Sequence, residues 1–110
     1  MSHGLFNPCA NLNSAKTYDV IDKKKKALKL KEIGNDVFKK KDYENAEKFY
    51  SRGLEMNLDS RSLWTNRANC RNKMGKYKEA LEDSVAALSI DPKCTKAGFL
   101  YSYLKRFDWS

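Results

Sequence analysis

The chain has one histidine, two prolines and three cysteines that share no CxxC spacing. A structural zinc site needs clustered Cys or His ligands, and His3, Cys9, Cys70 and Cys94 do not supply them. Cys70 and Cys94 therefore read as reduced packing residues. There is no Gly-rich phosphate loop, and no Cys/His pair is brought together by spacing, so nucleophilic and metal chemistry lack support. No catalytic residue, metal or other cofactor is expected. No apolar run approaches the roughly 18 residues of a membrane helix. The N-terminus also lacks the basic start and apolar stretch of a signal peptide. The expectation is a soluble, cytoplasmic protein with no membrane partner. Acid is in deficit too: 14 Asp plus Glu face 22 Lys plus Arg, a formal net charge of +8, which favours an anionic partner.

What is present suits helices. The 110 residues make one domain at most, and 41% hydrophobic content with 33% charged residues allows only a thin core. Residues 1–22, with Gly4, Pro8 and several Asn and Ser, show no helical periodicity and read as a flexible arm. From Lys23 the composition turns to helix formers, and a period appears. Leu30 and Trp64 stand 34 positions apart, as do Gly34 and Ala68, Tyr43 and Tyr77, Ala46 and Ala80, Gly53 and Ala87, and Leu54 and Leu88. Small residues let antiparallel helices approach closely while Leu30, Trp64 and the tyrosines fill the space between them. The pattern predicts helices over 25–40, 43–56, 62–74 and 77–90, with turns at "KKKDY" and "MGKY" and a stop at Pro92.

A 34-residue helix-hairpin unit resembles the tetratricopeptide repeat family. "IGNDVFKKKDYENAEKFYSRGLEMN" and "RANCRNKMGKYKEALEDSVAALSIDP" look like two consecutive repeats, and "KCTKAGFLYSYLKRF" like the first helix of a third. "IDPKCTKA" resembles the same region of one individual member of the family. The resemblance implies an all-α superhelix over 23–110: repeat 1 at about 27–60, repeat 2 at about 61–94, and a partial third repeat or capping helix at 95–107. Leu58 stands where the family's proline is expected, and Gly98 where a large residue should begin the third unit.

In the family the first helix of each hairpin lines a concave face. Lys31 and Asn35 share one face of their helix, Asn66, Asn69 and Lys73 form a stripe on the next, and Lys96 lies one turn before Leu100. Trp64 and Ala68 are then expected to turn to the core and Asn66 and Asn69 to the groove. An ammonium beside oriented amide N–H donors suits a carboxylate. The arrangement resembles the family's carboxylate clamp, which holds the Glu-Glu-Val-Asp tail of the seventy- and ninety-kilodalton heat-shock chaperones. Lys31, Asn35, Asn66 and Lys96 match four of its five positions, and the fifth, an arginine in the family, is Leu100. Phe38, Asn69, Lys73 and Leu100 are expected to line the groove, with Lys73 adding charge. The resemblance implies a co-chaperone-like adaptor. The alternative is a repeat scaffold that binds another protein partner without reading a terminal carboxylate, and Asn35, next to Asp36, has the alternative of facing water.

The remaining features carry less. Six lysines in "KKKKALKLK" could attract nucleic acid, but without interleaved aromatics they read as a solvated helix start. Glu79, Glu82 and Asp83 read as exposed, solubilising acids. Five of the thirteen aromatics, Phe99, Tyr101, Tyr103, Phe107 and Trp109, crowd the last segment. Self-association through them, or an alternative ending in place of a full third repeat, is the expectation there.

Overall fold

The computed structural model describes residues 8–107, with side chains from Thr17 onward. His3 and Trp109 lie outside the described residues, as does the side chain of Cys9. Five helices follow one another: α1 Pro8–Lys39, α2 Tyr43–Met56, α3 Arg61–Lys73, α4 Tyr77–Ile90 and α5 Thr95–Lys105. Packing follows chain order, α1 on α2, α2 on α3, α3 on α4 and α4 on α5, and α5 also touches α3. The result is two helix hairpins and a fifth helix, the stack that the 34-residue period predicts.

Small residues set the spacing. Ala46, Ala80, Ala87 and Ala97 are fully buried, and Ala27 and Ala68 nearly so. A Cβ on Gly34 would meet the Tyr50 ring at 2.6 Å, and one on Gly53 would lie 3.1 Å from Leu63. One core cluster gathers Ala27, Ala46, Tyr50, Leu54, Leu63 and Cys70; a second gathers Ala87, Cys94 and Ala97. Trp64 is half-buried and packs against both. Its indole N–H donates to the Leu58 carbonyl at 2.7 Å, so the turn that lacks the family's proline is held by a tryptophan instead. Gly98 has open space around it, and α5 is anchored on either side of it by Ala97 and Leu104, both fully buried.

The arm expected over residues 1–22 is helical from Pro8, and α1 runs on from it for 32 residues, about 48 Å at ~1.5 Å per residue. Proline suits the first turn of a helix because its missing N–H has no partner there anyway. A helix already nucleated by packing extends at little cost, since each further residue adds a hydrogen bond. Ion pairs one turn apart, Lys23 with Asp19 at 3.4 Å and Lys26 with Asp22 at 3.1 Å, support the exposed stretch. They also engage part of the lysine run, which is solvated as expected.

Asp83 departs from the expectation of an exposed acid. It is 2% exposed and accepts hydrogen bonds from Arg67 Nε at 2.9 Å, Arg67 Nη2 at 2.8 Å and Arg71 Nη1 at 3.0 Å. Arg67 also donates to Ser51 Oγ at 3.1 Å, and Arg71 to Glu47 at 2.8 Å. Lys76 reaches the same Glu47 carboxylate at 3.0 Å. Burial raises the Glu47 carboxyl pKa, but the hydrogen bonds from Arg71 and Lys76 outweigh it and hold the group below its usual value. This network ties α2, α3 and α4 together, and it explains the arginine in the otherwise apolar and amide-rich "LWTNRANC". Breaking a buried pair from one side leaves charge uncompensated. Asp83→Asn should therefore lower the unfolding free energy by about 3 kcal/mol in urea titration, and a change under 1 kcal/mol would mean that the network contributes little.

The two hairpin turns are equivalent. Lys41, at φ 64°, and Gly75, at φ 80°, stand 34 positions apart, each in the left-handed region. Lys41 N–H donates to Phe38 O at 2.8 Å and Asp42 N–H to Val37 O at 3.0 Å. Gly75 N–H donates to Asn72 O at 3.1 Å and Lys76 N–H to Arg71 O at 2.8 Å, the same helix-ending motif. Lysine is strained in that region by ~1–2 kcal/mol, of which glycine's greater chain entropy returns ~0.5–1. Lys41→Gly should stabilise the protein by about 0.5–1 kcal/mol, raising Tm by roughly 3–6 °C; an unchanged or lower midpoint would refute the assignment of strain.

Candidate functional site

A groove of about 580 Å³ opens between α3 and α5. The wall from α3 is polar: Thr65, Asn66, Asn69 and Asn72. The wall from α5 carries Lys96, Phe99, Leu100 and Tyr103. These four fall at i, i+3, i+4 and i+7, one stripe of a helix, while Ala97 and Leu104 point to the core. The structure thus brings Asn66, Asn69, Lys96 and Leu100 to one cavity.

From α1, Asn35 is linked to the groove wall through Asn66. Asn35 Oδ1 accepts two hydrogen bonds, from Tyr50 Oη at 2.6 Å and from Asn66 Nδ2 at 3.0 Å. A buried tyrosine thereby fixes an amide on α1, and that amide fixes another on α3. With its oxygen engaged twice, Asn35 keeps both amide N–H donors without a protein partner among the described residues. Burial pushes the Tyr50 phenol up to about 12, with the nearby Cys70 acting in the same direction, so the hydroxyl remains a donor throughout the physiological range. Lys31 Nζ lies 3.5 Å from Ser62 Oγ on α3 and lines a separate pocket of about 250 Å³ with Lys24, Leu28 and Asn57. Of the two lysines, Lys96 lines the groove with the α3 amides, whereas Lys31 stands in the separate pocket beside Ser62.

Two expected groove residues sit elsewhere. Phe38 packs edge-on against Tyr43, ring centroids 5.2 Å apart, beside the core cluster. Lys73 is exposed and absent from the lining, where Asn72 takes the place expected of it. The step from Asn69 to the groove's third amide is i+3 rather than i+4, and both steps fit one helix face. Phe99 and Tyr103 also line the groove; the aromatic crowding of this segment was visible in the sequence, but which rings share a face with Lys96 was not read from it. Cys70 and Cys94 are buried free thiols. Cys70 Sγ donates to the Tyr43 carbonyl at 2.9 Å, and its pKa is pushed up to about 11 chiefly by burial, which suits a packing residue. Among the described residues no group of three His, Cys, Asp or Glu could hold a metal, and no helix is long and apolar enough to cross a membrane.

Comparison with known proteins matches this architecture. The tetratricopeptide repeat profiles match residues 38–60 and 62–94. Tetratricopeptide repeat protein 12 of Mus musculus, the individual member that "IDPKCTKA" resembles, is 50% identical over 70 residues, which is 64% of this chain and 10% of that protein. Hsp70-Hsp90 organizing protein 3 of Arabidopsis thaliana is 44% identical over 82 residues, 71% of this chain and 15% of that protein. The chain therefore spans only a small part of these curated relatives. Among solved structures, the second tetratricopeptide domain of Spaghetti, bound to the HSP90 peptide SRMEEVD, matches with a TM-score of 0.74 and 33% identity, over 76% of this chain and 78% of that one.

The Tyr50 hydroxyl gives the site a direct test. Tyr50→Phe removes one donor from Asn35 and leaves the packing intact, so stability should fall by about 1 kcal/mol in chemical denaturation. A loss near zero would mean that the phenol does not hold the amide.

Proposed function

The chain belongs to the tetratricopeptide repeat family, and from that premise we propose that it is a co-chaperone-like adaptor that grips an acidic peptide by its free C-terminal carboxylate. The tail of a seventy- or ninety-kilodalton heat-shock chaperone, ending in Glu-Glu-Val-Asp, has that chemistry. One observation carries the reading: Asn66, paired with Asn35 at 3.0 Å, stands on the wall of a groove that Lys96 completes from α5. Amide donors held in place lose little freedom when a carboxylate arrives, and an ammonium adds charge, the combination that binds carboxylates best. Lys31, in the neighbouring pocket on the α1 side, adds to the positive potential around the site. The net charge of +8 draws an acidic tail from a distance. The likeness to a domain bound to SRMEEVD supports the same ligand class.

Leu100 tempers the affinity. With leucine at this position the groove forms one charge-assisted hydrogen bond fewer, worth about 1.5–3 kcal/mol. Calorimetric titration at physiological salt with SRMEEVD, against the same peptide amidated at its C-terminus, tests the proposal. Amidation should weaken binding at least tenfold, and Asn66→Ala should cost about as much. Equal binding of both peptides would leave the scaffold reading, in which the groove serves another protein partner.

A further inference from the structure

The two walls of the groove differ in chemistry, and the difference specifies the ligand further. Along α5 the stripe begins with a cation, Lys96, and continues with three apolar side chains, Phe99, Leu100 and Tyr103. Among the described residues, Lys96 is the only charged one in the groove lining. Phe99 is 73% exposed and Tyr103 51% exposed, although the helix is anchored by Ala97 and Leu104 on another face. The Phe99 ring is therefore not needed to hold α5 in place, whereas Tyr103 also packs edge-on against Phe107, ring centroids 5.7 Å apart. Across from them, the side chains of Asn69 and Asn72 form no hydrogen bond among the described residues, so this wall also has unused donors and acceptors. A cavity of about 580 Å³ with one apolar wall and a few convergent polar groups has the size and character of a ligand site.

We propose that this groove reads one carboxylate and one large apolar side chain: a free C-terminal carboxylate at Lys96 and Asn66, and the side chain of that same last residue against Phe99, Leu100 and Tyr103. The proposal rests on the carboxylate reading above and ranks its ligands: among tails with a free C-terminal carboxylate, those whose last residue is aromatic or branched aliphatic bind more tightly than those that end in aspartate. An aspartate in the last position would set a second carboxylate beside Leu100. There it would meet an apolar wall and no second cation, so it would gain little from that contact. A phenylalanine in the same position would bury its ring against two aromatic rings and a leucine, gaining both from area removed from water and from ring contact. The acidic residues further back along the tail keep their attraction to the positively charged chain.

Fluorescence anisotropy with the 110-residue chain and four labelled peptides tests this: SRMEEVD, SRMEEVF, and each with an amidated C-terminus. SRMEEVF should bind about tenfold tighter than SRMEEVD, and amidation should weaken both. Leu100→Arg should reverse the order of the two free-acid peptides. Phe99→Ala, at an exposed position that leaves the core untouched, should cut the advantage of SRMEEVF to threefold or less, and it decides the matter even if Leu100→Arg disturbs folding. Carboxylate-dependent binding with aspartate equal or preferred in the unmodified chain would overturn this proposal alone. So would an SRMEEVF advantage that Phe99→Ala leaves unchanged. Binding of both peptides that ignores amidation, or no binding of either, would overturn it together with the carboxylate reading.

Discussion

The close approach of α1 and α2 is the constraint on which the rest depends. No side chain beyond hydrogen fits at Gly34, because the Tyr50 ring occupies the space a Cβ would take. That contact lets the phenol lie across the helix interface and emerge beside Asn35 at 2.6 Å. The same residue thus fills the core and orients a polar group at the site. An amide positioned in this way owes its direction to close packing, in which a side chain has few alternative rotamers. The site is an outgrowth of the core, and the two cannot be altered separately at this point.

The second constraint is ionic. In a chain with 33% charged residues, the buried residues of α4 are small or polar, Ala80, Asp83, Ser84 and Ala87, so α4 offers α3 little large apolar surface. Arg67, Arg71, Lys76, Glu47 and Asp83 link α2, α3 and α4 instead and satisfy one another. Apolar contact tolerates sliding, whereas a bidentate guanidinium–carboxylate pair does not. The network therefore sets the register of α3 against α4, and with it the direction in which Asn66 and Asn69 leave the opposite side of α3. Arg67 and Asn66 are chain neighbours and so point about 100° apart, one into the network and the other to the groove.

This division of labour explains what could be read in advance. Pairs such as Ala46/Ala80 and Gly53/Ala87 repeat because each hairpin solves the same packing problem, so the period, the helix limits near Tyr43, Met56, Tyr77 and Ile90, and the two turns were all legible. The helix over residues 8–22 was not, because the side chains of residues 17–22 are exposed and its polar composition carries no periodic signal. Asp83 reads as a surface acid in the sequence, because charge alone does not reveal that two arginines face it from another helix. Asn35, Asn66 and Lys96 were visible as donors at helical spacing. The hydrogen bond joining Asn35 to Asn66 links residues on different helices, and no spacing rule within one helix reports it. Phe38 shares the helix that carries Lys31 and Asn35, yet its ring meets Tyr43 across the hairpin turn that brings the two within contact.

Charge and shape play different parts in such a site. A net charge of +8 attracts any acidic tail and speeds encounter, but it does not distinguish one tail from another, and salt screens it beyond about 10 Å. Discrimination has to come from groups in contact. At the α3 wall these are amides, which accept many polar ligands, so selectivity falls to α5, where a single lysine is followed by a leucine and two aromatic rings. A groove with one cation in its lining can satisfy one buried carboxylate fully, and whatever else it encloses must be content without charge. On the proposed reading, leucine at position 100 is for this reason more than a missing donor: it would change which ligand the same fold holds.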